Sequence, residues 1–386
     1  MISVTNSRNS GFEIDNLDVE NQSSASTVTV FDFANTSGDD YIHDCVFTDD
    51  GSASPIQYTG IKYSGTSNGR FQVERDTTIA INADNYTGIS IAGANLANTT
   101  NISVNNLNTG IITYNAIGIL VTSAGTGMSV DNNILTSTQS DNYTGIDLSG
   151  FAVSEDIIVD SNNINASTVG NTFTGISVDA SGNSSDVDIA SNTVSGENSI
   201  TWLGIVAKNF GGLSPYVDYN TLIATGSQVD GSGITVENLE SGSQINVEYN
   251  SLSNTSVASG TFYGVQALGT GTSLTLDINN NTLNGGSDTY YGVHSSMTGA
   301  TLTTVELNTI APVGLQIDFN GVYVDGISNT NTVEVIDNTI DNPGGASGTY
   351  QGIYFDGTSN VYTPYVYYNM EEFAPFNLYD DKYSEY

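Results

Sequence analysis

One unit of about 29 residues recurs along nearly the whole chain, and it constrains the fold more than any other feature of the sequence. Its first element is apolar-x-x-Asn-x-apolar, as in Val130, Asn133 and Leu135. This element occurs thirteen times, with asparagine replaced by aspartate in the first three repeats, and the occurrences lie 27 to 32 residues apart. A second element, aromatic-Thr-Gly-Ile in residues 143–146, recurs with the same period. Two elements that share one period identify the chain as a repeat protein.

The repeat predicts an all-β fold. No stretch of ten or more residues has the apolar spacing of a helix, whereas short runs alternate between apolar and polar residues and are bounded by Gly, Asn and Ser. A unit of this length becomes stable only by stacking on copies of itself. We therefore predict a parallel β-solenoid of about 13 coils, with about 29 residues in each. We expect it to form a single domain over residues 1–360, followed over 361–386 by a last strand and a tail rich in aromatic residues.

The balance of charge argues against several classes of partner. The chain has 42 acidic and 6 basic residues, which give a formal net charge of −36 at pH 7. Such a surface repels the phosphates of nucleic acids and of anionic membranes. Because no run of eighteen apolar residues is present either, we expect neither nucleic acid binding nor insertion into a membrane. Cys45 is the only cysteine, and we expect it to be a small core residue.

The asparagine of the first element is expected to have a structural role. In a solenoid, equivalent residues of successive coils lie above one another, and stacked amides can bond to each other and to the backbone of the turn. The first three repeats carry Asp15, Asp44 and Asp76 at this position. The predicted asparagine ladder consists of Asn105, Asn133, Asn162, Asn192, Asn220, Asn250, Asn281, Asn308, Asn338 and Asn369.

Acidic residues recur two positions before the ladder. Asp131 and Asp160 occupy consecutive repeats, as do Asp218 and Glu248. Carboxylates this close recruit a cation or raise one another's pKa, and their oxygen atoms favour Ca²⁺. The pattern is therefore either a solvated acidic face or a set of calcium ligands.

An aromatic residue stands two positions before the glycine in nine of eleven repeats. Strand alternation places this position on the outside, where stacked rings could bind sugars or pack against another subunit. If the glycine bends the chain, the rings instead turn inward and extend the core. The row consists of Tyr58, Tyr86, Tyr143, Phe173, Trp202, Phe262, Tyr290, Phe319 and Tyr350.

The repeat resembles that of a known superfamily. The pattern Val-x-x-Asn-Thr-Ile/Leu, in residues 217–222, 305–310 and 335–340, together with the Gly-Ile strand, is similar to the parallel β-helix repeat of the pectin-lyase-like superfamily. The resemblance covers about residues 12–370 and implies a single-stranded, right-handed parallel β-helix. That fold carries polysaccharide lyases, hydrolases, tailspikes, adhesins and structural rods, so the resemblance leaves the function open.

No catalytic arrangement stands out in the sequence. The resemblance implies that a lyase would need a Lys or Arg base, and only Lys62, Arg70 and Arg75 lie within about one coil of each other. His43 and His294 are isolated, and the clustered motifs of hydrolases with this fold have no counterpart. The sequence therefore favours a protein that is not an enzyme and leaves enzymatic activity open.

The expected function is that of an extracellular structural or adhesive β-helix, a cell-surface or filament subunit that assembles end to end. The alternative is a carbohydrate-active β-helix, either a lyase or hydrolase or a glycan binder similar to a tailspike. Self-association and glycans are the expected partners, and Ca²⁺ is the one cofactor considered. The tail is either a cap on its own chain or a contact with another chain, through Tyr365, Tyr367, Phe373, Phe376 and Tyr379.

Overall fold

The computed structural model describes most of the chain and divides it into two compact units, Met1–Gly196 and Glu197–Tyr386. The described residues are 2–5, 11–21, 27–34, 39–49, 55–64, 69–92, 100–123, 127–149, 156–180, 186–209, 215–238, 242–255, 258–269, 274–298, 301–314, 316–327, 332–341, 348–357, 363–367 and 370–372. All regular structure in these residues is β-strand.

The first unit contains strands β1 (Ile2–Thr5), β2 (Glu13–Asp15), β3 (Asp18–Asn21), β4 (Thr27–Ala34), β5 (Asp40–His43), β6 (Val46–Asp49), β7 (Gln57–Ser64), β8 (Phe71–Glu74), β9 (Thr77–Ala92), β10 (Thr100–Ser103), β11 (Asn106–Ser123), β12 (Met128–Asp131), β13 (Ile134–Leu148), β14 (Ile157–Asp160), β15 (Asn163–Ala166), β16 (Val169–Asp179) and β17 (Val187–Ala190). Strand β18 (Thr193–Glu197) includes the division between the units.

The second unit contains β19 (Thr201–Lys208), β20 (Tyr216–Asp218), β21 (Thr221–Thr225), β22 (Asp230–Glu237), β23 (Gln244–Glu248), β24 (Ser251–Asn254), β25 (Ala258–Gly269), β26 (Leu274–Asn279), β27 (Thr282–Gly285), β28 (Ser287–Met297), β29 (Thr301–Glu306), β30 (Thr309–Pro312), β31 (Asp318–Ile327), β32 (Thr332–Ile336), β33 (Thr339–Asp341), β34 (Tyr350–Gly357), β35 (Thr363–Tyr367) and β36 (Met370–Glu372).

Each unit is a parallel β-solenoid, as the repeat predicts. One strand of each coil pairs in parallel with its equivalents in the coils before and after it, and Ile102 lies beside Val73 on one side and Val130 on the other. Within each unit these strands form a sheet, whose members are β2, β5, β8, β10, β12, β14 and β17 in the first unit and β20, β23, β26, β29, β32 and β35 in the second. The remaining segments of each coil form a wider sheet. The all-β solenoid and its repeat of about 29 residues are thereby confirmed.

The asparagine ladder lies buried at the turn between the two sheets. Asn133 donates from its backbone N and from Nδ2 to Oδ1 of Asn162, at 3.0 and 2.9 Å. The same Nδ2 donates at 2.9 Å to the backbone oxygen of Ile102 in the preceding coil. In the second unit, Asn250 makes the equivalent bonds to Asn281. Each buried amide is therefore satisfied by the coils on both sides of it. Asn369 lies outside the described residues.

In the first two coils the prediction of Asp15 and Asp44 as ladder residues is wrong, because the strand register puts other residues in the ladder position. Strand pairing places Ile14 beside Ile42, and Ile42 beside Val73. Counting forward from those residues puts Leu17 and Cys45 in the ladder position. Cys45 is buried there, and its backbone N donates to Oδ1 of the next ladder residue, Asp76, at 2.7 Å. The shift arises because hydrogen bonding between strands sets the register, whereas the sequence offers two aspartates at nearly the same spacing.

The outward interpretation of the aromatic row is also wrong, because the rings form part of the core. Eight of the nine side chains are at most 1 % exposed, and Tyr350 is half-buried. Neighbouring rings stack in places, with centroids 5.9 Å apart for Tyr143 and Phe173 and 5.0 Å apart for Phe319 and Tyr350. The buried members are Tyr58, Tyr86, Tyr143, Phe173, Trp202, Phe262, Tyr290 and Phe319.

The glycine explains why the row turns inward. In β13, Tyr143 and Ile146 are both buried although three positions separate them, so the alternation of the strand shifts by one residue at Gly145. A Cβ added to Gly145 would lie 2.6 Å from the backbone oxygen of Gly175, and no side chain fits there. The residues that face outward are those directly before the glycine and two positions after it, such as Thr144 and Asp147.

Candidate functional site

A second, outward set of aromatic side chains lies on the wide sheet of the second unit. Tyr263 and Tyr291 directly precede the corner glycines of β25 and β28, while His294, Tyr323 and Tyr354 follow those of β28, β31 and β34 by two residues. Both positions face away from the core, and all five side chains are half-buried. We call these five residues the aromatic platform.

Strand pairing brings the platform rings together. Tyr263 pairs with Tyr291, His294 pairs with Tyr323, and Tyr323 pairs with Tyr354. The ring centroids of Tyr263 and Tyr291 lie 5.1 Å apart, and those of Tyr323 and Tyr354 also lie 5.1 Å apart. His294 joins the two pairs, because its ring lies 5.3 Å from that of Tyr263 and 5.4 Å from that of Tyr323. The five rings therefore form one continuous aromatic surface.

Polar groups border this surface. His294 Nε2 lies 3.3 Å from Asp325 Oδ2. Burial opposes the ionisation of Asp325, but hydrogen bonds from His294 and Ser296 outweigh it and lower the pKa of this carboxyl group. Burial and the charges of nearby aspartates, Asp325 first, raise the pKa of Tyr323 to about 12. At neutral pH the platform therefore carries neutral phenols beside a carboxylate.

A groove of about 400 Å³ continues the platform across the neighbouring coils. Tyr263 belongs to both, and Gln266 of the groove pairs with His294 of the platform. Its walls combine apolar side chains with hydroxyl groups, and the hydroxyls of Ser232 and Thr235 lie 2.7 Å apart. Lys208 forms an ion pair with Glu237 at one side. The groove is lined by Thr201, Leu203, Val206, Lys208, Asp230, Gly231, Ser232, Thr235, Glu237, Thr261, Tyr263, Gln266 and Leu268.

Outward aromatic rings beside hydroxyl, amide and carboxylate groups are suited to sugars. The apolar face of a pyranose ring packs on an aromatic ring, while its hydroxyl groups bond to the polar border. The sequence carries a signal for this site beside the repeat itself. Phe262-Tyr263-Gly264 and Tyr290-Tyr291-Gly292 each carry two aromatic residues before the glycine, and only the first of each pair belongs to the buried row.

The acidic residues considered for Ca²⁺ are neighbours but hold local partners. Asp131 pairs with Asp160 and Asp218 with Glu248 in register. Asp131 accepts hydrogen bonds from Ser129 at 2.7 Å and from Asn132 at 3.0 Å, Asp160 accepts one from Ser161, and Glu248 accepts one from Asn279. Within the described ranges, three metal-ligating side chains meet at Asp15, His43 and Asp44, and not at these four acids. Calcium binding there stays a prediction.

The aromatic tail is only partly described. Its strand β35 pairs with β32 and presents Tyr365 to solvent, and Tyr367 ends the same strand. Phe373, Phe376 and Tyr379 lie outside the described residues. Assembly through the tail therefore stays a prediction.

Comparisons with protein families, curated proteins and solved structures find no match to this chain. The part of the chain that the structure describes contains no helix that is long and apolar enough to cross a membrane.

Proposed function

We propose that this chain is a glycan-binding, adhesive β-solenoid and that the aromatic platform of its second unit holds the glycan. The observation that carries the proposal is the continuous surface of Tyr263, Tyr291, His294, Tyr323 and Tyr354, which faces outward although the predicted aromatic row does not. The adjoining groove supplies hydroxyl, amide and carboxylate groups at which a bound sugar can form hydrogen bonds.

Charge narrows the class of glycan. The platform and groove are bordered by Asp230, Glu237 and Asp325, and the whole chain has a formal charge of −36. Uronic acids and sulfated sugars would be repelled, whereas neutral sugars and amino sugars would not. The proposed ligand is therefore a neutral or amino-sugar polymer.

A glycan array that presents neutral, amino-sugar and uronic acid oligosaccharides tests the proposal, followed by calorimetry with the oligosaccharide that gives the strongest signal. Tyr291→Ala and Tyr323→Ala should each weaken binding about tenfold or more, because each removes a stacking surface worth about 1.4 kcal/mol. Tyr219→Ala is the matched control, since Tyr219 is 58 % exposed and stacks at 4.9 Å on Tyr249 away from the platform. Equal binding by the platform variants and the unmodified chain would refute the proposal.

We infer that the coils are right-handed and pectin-lyase-like and that the protein is extracellular, at the cell surface. The resemblance of the repeat, the parallel coils and the buried asparagine ladder support the first inference, and the acidic surface with a sugar platform supports the second. A crystal structure with left-handed coils would contradict the handedness. Detection of the chain only inside cells by fractionation would contradict the location.

A further inference from the structure

His43 stands at a point where acidic side chains from two coils converge. It belongs to β5 and pairs with Asp15 of β2, while Glu13 lies two residues earlier on the same strand. Nε2 of His43 lies 2.9 Å from Oε1 of Glu13. Nδ1 lies 2.8 Å from Oδ2 of Asp44 and 3.3 Å from Oδ1 of Asp15. Both nitrogens of this nearly buried ring therefore face carboxylates.

A neutral imidazole does not fit these surroundings. It has one N–H, so whichever tautomer forms, the lone pair of the other nitrogen points at a carboxylate. The site requires a cation between His43 and the acids, which can be a second proton or a metal ion. The cluster contains the guanidinium of Arg75 and four carboxylates, those of Glu13, Asp15, Asp44 and Glu74. Its negative charge therefore favours binding of a further cation.

The geometry suits a metal ion on the Nδ1 side. The ligand atoms of Asp15, His43 and Asp44 all lie within 4.8 Å of one another. Their separations of 2.8 and 3.3 Å from Nδ1 are close to the distance of about 3.3 Å between ligands that bind one ion at about 2 Å. On the other side of the ring, Nε2 can donate to Glu13, which is how a carboxylate commonly orients a metal-binding histidine.

Arg75 holds the third ligand in place. Its Nε donates to Oδ1 of Asp44 at 2.8 Å, and its Nη2 donates to Oδ2 at 2.8 Å. Nη2 is also 3.5 Å from Nδ1 of His43, so its hydrogen bond to Oδ2 must break when a metal ion binds there. The hydrogen bond from Nε to Oδ1 can remain. We propose that Asp15, His43 and Asp44 bind a divalent transition metal ion of the zinc class, with water in the remaining positions. The imidazole ligand disfavours Ca²⁺ and Mg²⁺.

The test uses the full chain after treatment with a chelator. Zn²⁺ is titrated by calorimetry, and Co²⁺ is titrated by visible absorption, which detects an ordered site with a nitrogen ligand. The expected result is one saturable site, weakened at least a hundredfold by His43→Gln and unaffected by His294→Gln, the change at the one other histidine. Asp131→Asn is a second control, because it removes a surface acid outside the cluster.

Two further measurements keep the outcome decisive if His43→Gln perturbs folding. Glu13→Gln leaves all three ligand atoms in place and should weaken Zn²⁺ binding about tenfold or more. In ¹⁵N-labelled protein, Zn²⁺ should shift the Nδ1 resonance of His43 and leave His294 unchanged. Unsaturable binding that is equal in the unmodified chain and in both cluster variants, or an unshifted His43 resonance, would show that surface acids alone bind the ion and would overturn the proposal.

Discussion

Asp76 differs from the ladder asparagines in one side-chain atom, because an oxygen replaces the amide nitrogen Nδ2. Its Oδ1 accepts from the backbone N of Cys45, and its own backbone N donates to Asn105 at 2.9 Å. Its Oδ2 is buried without a hydrogen-bond partner among the described residues. In Asn105 the equivalent atom is Nδ2, which donates to the backbone oxygen of Val73 and to the next asparagine. A protonated carboxyl group could make such a bond, but a carboxylate cannot.

We predict that Asp76 makes the first coils sensitive to pH. Burial raises its pKa to about 7, against the opposing effects of the Cys45 amide and His43, so the folded state holds a proton that the unfolded state releases near pH 4. The contribution of Asp76 to stability should therefore be fully present below about pH 4, fall as the pH rises to about 7 and then level off, a loss on the order of 4 kcal/mol. Asp76→Asn should remove most of this slope. Hydrogen exchange of residues 40–49, corrected for the intrinsic rate, measures both.

The control for this prediction is Asp131→Asn, which changes an acid outside the ladder and should keep the slope of the unmodified chain. Parallel pH curves for Asp76→Asn and the unmodified chain would mean that the pKa of Asp76 is the same in the folded and unfolded states.

At the scale of the element, the turn between the two sheets imposes a left-handed backbone on the residue before each ladder position. This residue has a φ of 52° to 58° in twelve coils, from Asn16 to Asp337. Asn132 and Asn280 tolerate this conformation, but Val104 is β-branched and 53 % exposed there. The turn therefore strains the backbone at Val104, and the exposed valine side chain gains little packing energy to offset that strain.

We predict that Val104→Asn stabilises the protein by about 1 kcal/mol, because asparagine adopts the left-handed region at lower cost. Thermal unfolding should show the gain as a higher melting temperature. Ile158→Asn is the control, since Ile158 is also exposed but lies within strand β14, where asparagine has no such advantage. A melting temperature lowered by Val104→Asn would show that valine packing outweighs the strain.

At the scale of the whole molecule, the acidic surface is the dominant feature. The chain has forty-two acidic residues and six basic ones, so most of the acids have no basic residue to pair with. Like charges spaced along stacked coils repel each other, and this repulsion opposes the folded state more than the expanded one.

We predict that monovalent salt raises the melting temperature by several degrees between 0.05 and 0.5 M, because the screening length falls from more than 10 Å to less than 8 Å. Differential scanning calorimetry measures the shift, and the same concentrations of an uncharged osmolyte serve as a comparison. A melting temperature that falls with salt would mean that attractive ion pairs, such as Arg75 with Asp44, contribute more than the repulsion.

The sequence by itself determined the features that depend on a local pattern repeated at one period. The parallel solenoid, the coil length and the ladder from Asn105 to Asn338 follow from residues that each coil places in the same position, so stacking could be predicted without coordinates. The sequence also allowed a corner at the glycine, but the pattern could not decide whether the aromatic row turns inward or outward.

The tertiary structure decided the direction of side chains and the meeting of distant residues. The bend at Gly145 shifts the strand alternation and turns Tyr143 inward. At the equivalent glycines of later coils, Tyr291 directly before the glycine and Tyr323 two residues after it face outward. Hydrogen bonding between coils fixed the register that places Cys45 in the ladder and His43 among acids 28 to 30 residues away. Neither could be predicted, because a bend and a register depend on contacts between coils, whereas the sequence displays only the order of residues within one coil.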